Sequence, residues 1–185
     1  VSQRLSNRQR IAIFTAILSL AIALTFIAST LPATSSYGRE ISEELNSSVN
    51  VSDPFDTATG IAGHNLILSM LMGIPFVGVI IGLAIMGNTG YAISALTSFQ
   101  APGSGIKITG PVAFSTLALL PFFWLEFISY SIMMTQSITL GYSLIRGGAR
   151  EEGKRTLMTL GIVTLLLVVG GFIEALIIYL TSSSP

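Results

Sequence analysis

The sequence predicts an all-α fold, a polytopic transmembrane helix bundle of about five spans with one half-length or interfacial helix. Three observations carry this. Hydrophobic residues make up 51% of the 185 residues and charged residues only 10%, against roughly 25% charge in soluble domains. The mean hydropathy is +0.76. The few charges are gathered in three short segments, separated by nearly uncharged stretches of about 20 residues or more, the length of a spanning helix. Length then leaves room for a single integral membrane domain, 1–185. The same pattern excludes a small soluble enzyme, a nucleic-acid binder, which would carry a basic face, and a disordered chain. The absence of cysteine removes disulfides, thiolate metal sites and cysteine nucleophiles.

Residues 1–10 hold Arg4, Arg8 and Arg10 without an acid and lead into the uncharged run 11–31, the first span. Arginines beside a first span place the N-terminus in the cytoplasm. Segment 32–56 is the long polar loop, with Arg39 against Glu40, Glu43, Glu44, Asp53 and Asp56, a charge that suits the outer face. A short surface turn of helix is expected at 42–45, and Asn46-Ser47-Ser48 and Asn50-Val51-Ser52 fit the N-glycosylation pattern.

From 57 to 99 the chain has no ionisable side chain except His64 and Tyr91. As helix this run measures about 65 Å, twice a hydrocarbon core of about 30 Å, so it holds two spans, 57–75 and 78–99. Breaks at Gly73-Ile74-Pro75 and at Gly87-Asn88-Thr89-Gly90 are both open. The Pro- and Gly-bearing loop 100–110 ends the hairpin. Residues before Pro121 form the half-length or interfacial helix, 122–145 a span, 146–155 a basic segment and 156–180 the last span. Trp124, with Phe122 and Phe123, reads as an interfacial aromatic belt.

Arg146, Arg150, Lys154 and Arg155 are topology determinants and anchors for anionic lipid headgroups. If they lie in the cytoplasm, three crossings separate them from the acidic loop. Five spans satisfy this, with the N-terminus inside, the C-terminus outside and the chain a multi-pass protein of the cell membrane. Four spans would put the second basic segment outside.

Under five spans His64, Asn65, Glu126 and Glu174 fall at one depth. Ionisable groups inside a membrane face the bundle interior and pair, so these four form a candidate polar cluster. Three readings stay open: groups that bond one another and set helix register, a solute or proton relay, and a metal site of one His and two Glu. The glycines Gly78, Gly82, Gly87 and Gly90 let another helix backbone approach closely, from within the chain or from a second copy. Gly148 to Lys154 has the spacing of a phosphate loop, but Arg155 stands where Ser or Thr must reach Mg²⁺. No catalytic, metal-binding or cofactor motif is assigned.

From about Gly63 onward the order of features resembles the stage II sporulation protein M family of integral membrane proteins. The family pattern is an Asn-Asn pair, a glycine-rich stretch leading to an Asn-Gly turn, a Pro-His-Gly-x-x-Glu element and an Ile-Glu-Ala element. Here His64-Asn65, Gly78 to Gly90, Pro121 to Glu126 and Ile173-Glu174-Ala175 stand at those places. Phe122-Phe123 replaces His-Gly, His64 replaces the first Asn, and the turn reads Asn88-Thr89-Gly90. The resemblance implies a membrane scaffold that recruits other proteins without catalysis of its own. The expected function is therefore a non-catalytic scaffold or accessory subunit, whose partners are membrane lipids and other integral membrane proteins and not nucleic acid. A small transporter or channel with a His/Glu relay, and an accessory subunit of a membrane-bound redox or oxygenase complex, are the alternatives.

Overall fold

The computed structural model describes residues 5–48, 53–99 and 108–182. The Asn50 acceptor pattern and most of loop 100–110 lie outside these residues. All regular elements among them are α-helices: α1 Asn7–Ser29, α2 Ser35–Ser48, α3 Pro54–Met72, α4 Val77–Ser98, α5 Gly110–Leu117, α6 Pro121–Ile145 and α7 Ala149–Ser182. Three of them, α1, α4 and α7, are long and apolar enough to cross a membrane. A fourth candidate is α5 with α6 taken together, bent by 89° at their junction. Asp56, His64 and Asn65 lower the hydropathy of α3, which falls outside this set.

The ends of the helices follow from local chemistry. Ser6 and Gln9 make a reciprocal capping box at the start of α1, and the Asp53 carboxylate accepts from the Phe55 and Asp56 amides at the start of α3. Each such cap contributes about 1 kcal/mol. Pro54, Pro111 and Pro121 occupy first-turn positions of α3, α5 and α6, where a missing N–H costs nothing. Leu120, ahead of Pro121, is extended with ψ 138°, as the proline ring requires of its predecessor. That is why α5 stops and α6 leaves at a sharp angle.

Of the two breaks open between 57 and 99, the chain uses Gly73-Ile74-Pro75, and Gly87 to Gly90 continues inside α4. The reversal is a tight γ-turn. Val77 N donates to the Pro75 carbonyl (2.8 Å) across Phe76, which is held at φ 64°, a region a bulky side chain occupies only under strain. α6 holds the turn down: Ser137 Oγ donates to the Ile74 carbonyl, and the Phe76 ring fills the notch left by Gly141.

The five long helices run alternately. Thr25 Oγ1 donates to the Met86 carbonyl (3.1 Å) and Ser94 Oγ to the Leu31 carbonyl, so α4 runs parallel to α1. Ser137 lies by the start of α4 and Met134 by Gly82, so α6 runs against α4. Gln136 meets Glu152 while Leu125 meets Gly170, so α7 runs against α6. The amino end of α1, the α3–α4 turn and the start of α7 therefore share one end of the bundle. The long polar segment, α5 and the end of α7 share the other.

α6 is central, packed against α1, α3, α4 and α7, with more than half of its residues buried. The apolar core around it is rich in Met and Phe, including Met72, Met86, Met133, Met134, Phe114 and Phe127. Phe123 stacks on Phe127 at 4.2 Å and meets Phe114 edge-on at 5.5 Å. Phe122 and Phe123 are thus core residues and not part of an aromatic belt. Trp124 alone is turned outward, its indole N–H donating to the Ala118 carbonyl (2.9 Å).

Two polar segments are more helical than expected. α2 occupies 35–48 rather than a turn at 42–45; it docks on α4 through Tyr37 stacked on Tyr91 (5.4 Å) and Gly38 against the Ala95 carbonyl. α7 begins at Ala149, inside the predicted basic segment, and its 34 residues measure about 51 Å, so its first turns precede the apolar stretch 156–180.

The glycine stripe is engaged inside the chain. A Cβ on Gly78 would strike the Met72 carbonyl, one on Gly82 the flexible Met134 side chain, and one on Gly90 the Thr25 carbonyl, whereas at Gly87 it would meet Leu24 at an ordinary 3.7 Å. Gly90→Ala should lower stability by about 1–3 kcal/mol through overpacking of α1 on α4, and Gly87→Ala should stay within about 0.5 kcal/mol of the parent. Thermal unfolding of both variants in one detergent measures the difference.

Candidate functional site

Two polar layers cross the bundle, one near the start of α6 and one past its middle. The first contains three of the four predicted cluster residues. Asn65, buried on α3, donates from Nδ2 to Glu126 Oε1 on α6 at 2.5 Å. Glu174 on α7 lies close enough to Glu126 for their charges to interact. Helix direction explains the meeting. Cα–Cβ bonds tilt toward a helix's own N-terminus, and α6 and α7 are antiparallel, so Glu126 and Glu174 lean toward one level from opposite sides.

His64 does not join them. It is exposed, because neighbouring residues on a helix project about 100° apart, and burying Asn65 turns the imidazole outward. The predicted four-residue cluster is therefore corrected to Asn65, Glu126 and Glu174, and the site of one His and two Glu does not assemble. Among the described residues no group of three His, Cys, Asp or Glu side chains is placed to hold a metal ion.

Sequence reasoning missed Tyr130. It is buried one turn below Glu126, and both Glu126 and Glu174 act on its phenol electrostatically. The i, i+4 spacing from Glu126 was the available signal. Ser129, on the same side of α6, is fully buried, and its hydroxyl has no hydrogen-bond partner among the described residues.

The second layer was not foreseen as a site. Arg10, at the start of α1, grips Glu152 in two parallel hydrogen bonds, Nη1 to Oε1 at 2.7 Å and Nη2 to Oε2 at 2.6 Å. Glu152 is 1% exposed. Gln136 of α6 donates from Nε2 to Glu152 Oε1 (2.9 Å) and to Thr156 Oγ1 (2.8 Å). Thr156 in turn donates to the Glu152 carbonyl (2.9 Å). One carboxylate thus ties the starts of α1 and α7 to the middle of α6. Forked Arg–carboxylate pairing is the strong, directional form of an ion pair. The Arg10 hydrogen bonds hold the Glu152 carboxyl below the usual carboxylate range; burial opposes this, and the Gln136 bond and the charges of Arg10 and Arg155 add to it.

The basic residues Arg146, Arg150, Lys154 and Arg155 are all exposed at the same end of the bundle, with the Arg146 guanidinium 5.6 Å from the Tyr142 ring centroid.

The fold and these layers define an all-helical bundle with three to four helices suited to a membrane and polar groups folded inward. No protein-family model, curated protein or solved structure matches the chain.

Glu152→Ala strands a partly buried Arg10 and should cost about 3–5 kcal/mol, whereas the apolar pair Arg10→Met with Glu152→Leu should recover most of it. The pH dependence has a definite sign. The folded-state value of Glu152 lies below the ordinary 4.5, so its contribution is complete above about pH 4.5 and is lost as pH falls through the lowered value. Unfolding of the parent and of the double variant across pH 3–7 measures this, and the acid-side loss should be smaller in the double variant.

Proposed function

We propose that the chain is a non-catalytic integral membrane scaffold or accessory subunit that organises other membrane proteins. It crosses the cell membrane five times, with the N-terminus in the cytoplasm and the C-terminus outside. One observation carries the reading: the polar side chains of α6 turn inward, while the outward faces of the long helices are mostly apolar. Ile67 and Ile80 on α3 and α4, and Leu157, Met158 and Leu165 on α7, are each more than half exposed. Such an exterior fits lipid and other spans.

Further support comes from charge. The exposed Arg146, Arg150, Lys154 and Arg155 share an end with Arg10, which the positive-inside rule assigns to the cytoplasm. The acidic segment with α2 lies at the opposite end. The alternating helix directions make α3 and α6 crossings despite their lower hydropathy, because their polar residues face protein rather than lipid. Asn65, Glu126 and Glu174, three of the positions on which the resemblance to the stage II sporulation protein M family rests, lie near one another in the fold. A scaffold of that kind fits a chain whose polar clusters hold helices together.

Chemical cross-linking in native membranes, followed by purification in mild detergent and mass spectrometry, tests the proposal. One or more integral membrane proteins should be captured reproducibly with the chain. Recovery as a lone monomer with no cross-linked partner would refute it. So would solute or proton flux in reconstituted vesicles that disappears in Glu126→Gln.

A further inference from the structure

The outward face of α3 carries an imidazole where lipid cannot serve it. Thr59, Gly60, Gly63, His64 and Ile67 are exposed and recur at helical spacing, so they share one side of the helix. His64 lies near the middle of the 19-residue helix, about 12 to 15 Å from either end, and its short side chain cannot reach the headgroups over that distance. Its ring makes no hydrogen bond or ion pair among the described residues. In the five-span topology proposed above, on which this inference rests, the ring of a lone chain faces hydrocarbon, which meets neither its donor nor its acceptor. Ionisable groups within spans face protein or a water-filled cavity instead. No other ionisable side chain is exposed so far from a helix end among the described residues.

The residues beside His64 leave room for something to approach. A Cβ at Gly60 or Gly63 would meet nothing within 4 Å, whereas one at Gly78 or Gly90 would strike backbone of the same chain. Glycine weakens a helix interior relative to alanine, and at Gly60 and Gly63 no close contact within the chain offsets that loss. Thr59 and Gly63 also stand in the small-xxx-small register that lets two membrane helices come close.

We infer that this face of α3 is a homodimer interface, on which the α3 helices of two copies pack side by side about a two-fold axis along the membrane normal. The occupant must bring small residues and a group that both donates and accepts at the depth of His64. A second α3 brings both. Neutral imidazole carries one donor and one acceptor, so the face complements its own copy, and the two-fold axis keeps both chains in the same orientation. A right-handed crossing of about 40° brings the backbones closest at Gly60 and Gly63 and parts the helices toward their ends. The exposed Asp56 carboxylates then separate at the outer surface. The opposite side of α3, with Ala58, Ala62 and Asn65, stays packed on α7 and α6, so the bundle is not rearranged.

The full chain contains no cysteine, which makes the face testable with single replacements. Oxidation in native membranes should convert Gly63→Cys and Ile67→Cys into disulfide-linked dimers, but not Ser19→Cys on the outward side of α1 or Leu165→Cys on that of α7. In lipid vesicles, energy transfer between labelled copies should give a dimer whose dissociation constant rises at least about tenfold in Gly63→Leu and about 3- to 20-fold in His64→Leu. Both variants should keep the helical circular dichroism of the parent, because these positions face away from the bundle. The proposal is overturned if parent copies show no energy transfer, if the α1 or α7 cysteine links as fully as those on α3, if the α3 cysteines link only to a different protein, or if either leucine variant associates as tightly as the parent. Labelling of cysteines at Ser36 and Ile74 separates this from the topology: reaction from one side of the membrane would refute the five-span reading itself, and reaction from opposite sides without a dimer would refute this inference alone.

Discussion

Hydrocarbon cannot solvate α6, and the arrangement of the other helices follows from that constraint. This helix buries Ser129, Ser131, Thr135, Gln136, Ser137, Thr139 and Ser143 and carries Glu126 near its start. On a lipid-facing surface such a row would leave polar groups without partners, at several kcal/mol for the least tolerable of them. In the centre of the bundle several are answered, while Ser129 and Ser131 keep hydroxyls without a partner among the described residues. Thr135 and Thr139 bond back to carbonyls of α6 itself, Ser137 caps the α3–α4 turn, Gln136 joins the Arg10–Glu152 pair, and Glu126 receives Asn65. The helices that enclose α6, by contrast, can present apolar faces outward. In the proposed membrane setting, α6 with its row of hydroxyls is the helix the fold places inside.

The two polar layers divide the work along α6. Near one end, the Asn65–Glu126 bond joins α3 to α6, with Glu174 of α7 alongside. Past the middle of α6, Arg10, Gln136 and Glu152 connect α1, α6 and α7. A buried ion pair adds little net stability compared with well-packed apolar residues, but it penalises every arrangement that separates its members. These layers therefore set register and helix order more than they set total stability. Close packing between them is left to Met and Phe side chains and to the notches at Gly78, Gly82 and Gly90.

Most of the helix positions were legible in the sequence because hydropathy runs and prolines mark them directly. Pro54, Pro111 and Pro121 begin helices, and Gly73-Ile74-Pro75 ends one. Gly87 to Gly90 looked equally capable of a turn, but Gly90 serves the approach of α1, which only tertiary packing reveals. α2 was underestimated because Tyr37 and Gly38 gain their purpose from α4, outside their own segment. Of the candidate site, Asn65, Glu126 and Glu174 were legible as charges or amides where lipid forbids them. The phase of α3 was not, so His64 could not be told from Asn65. Glu152 was hidden for another reason: it sits among basic residues like any solvated charge, and its partner Arg10 lies 142 residues away.

The claim that α6 sits inside the bundle requires α3 to cross the membrane, although α3 is not apolar enough to be chosen by hydropathy. The absence of cysteine makes this directly measurable with single cysteines at Ser36, Ile74, Thr109 and Ile145, labelled by an impermeant maleimide in intact and in permeabilised cells. Ser36 and Thr109 should react in intact cells, and Ile74 and Ile145 only after permeabilisation. Labelling of Ile74 on the same side as Ser36 would mean that α3 does not cross, and would contradict the account.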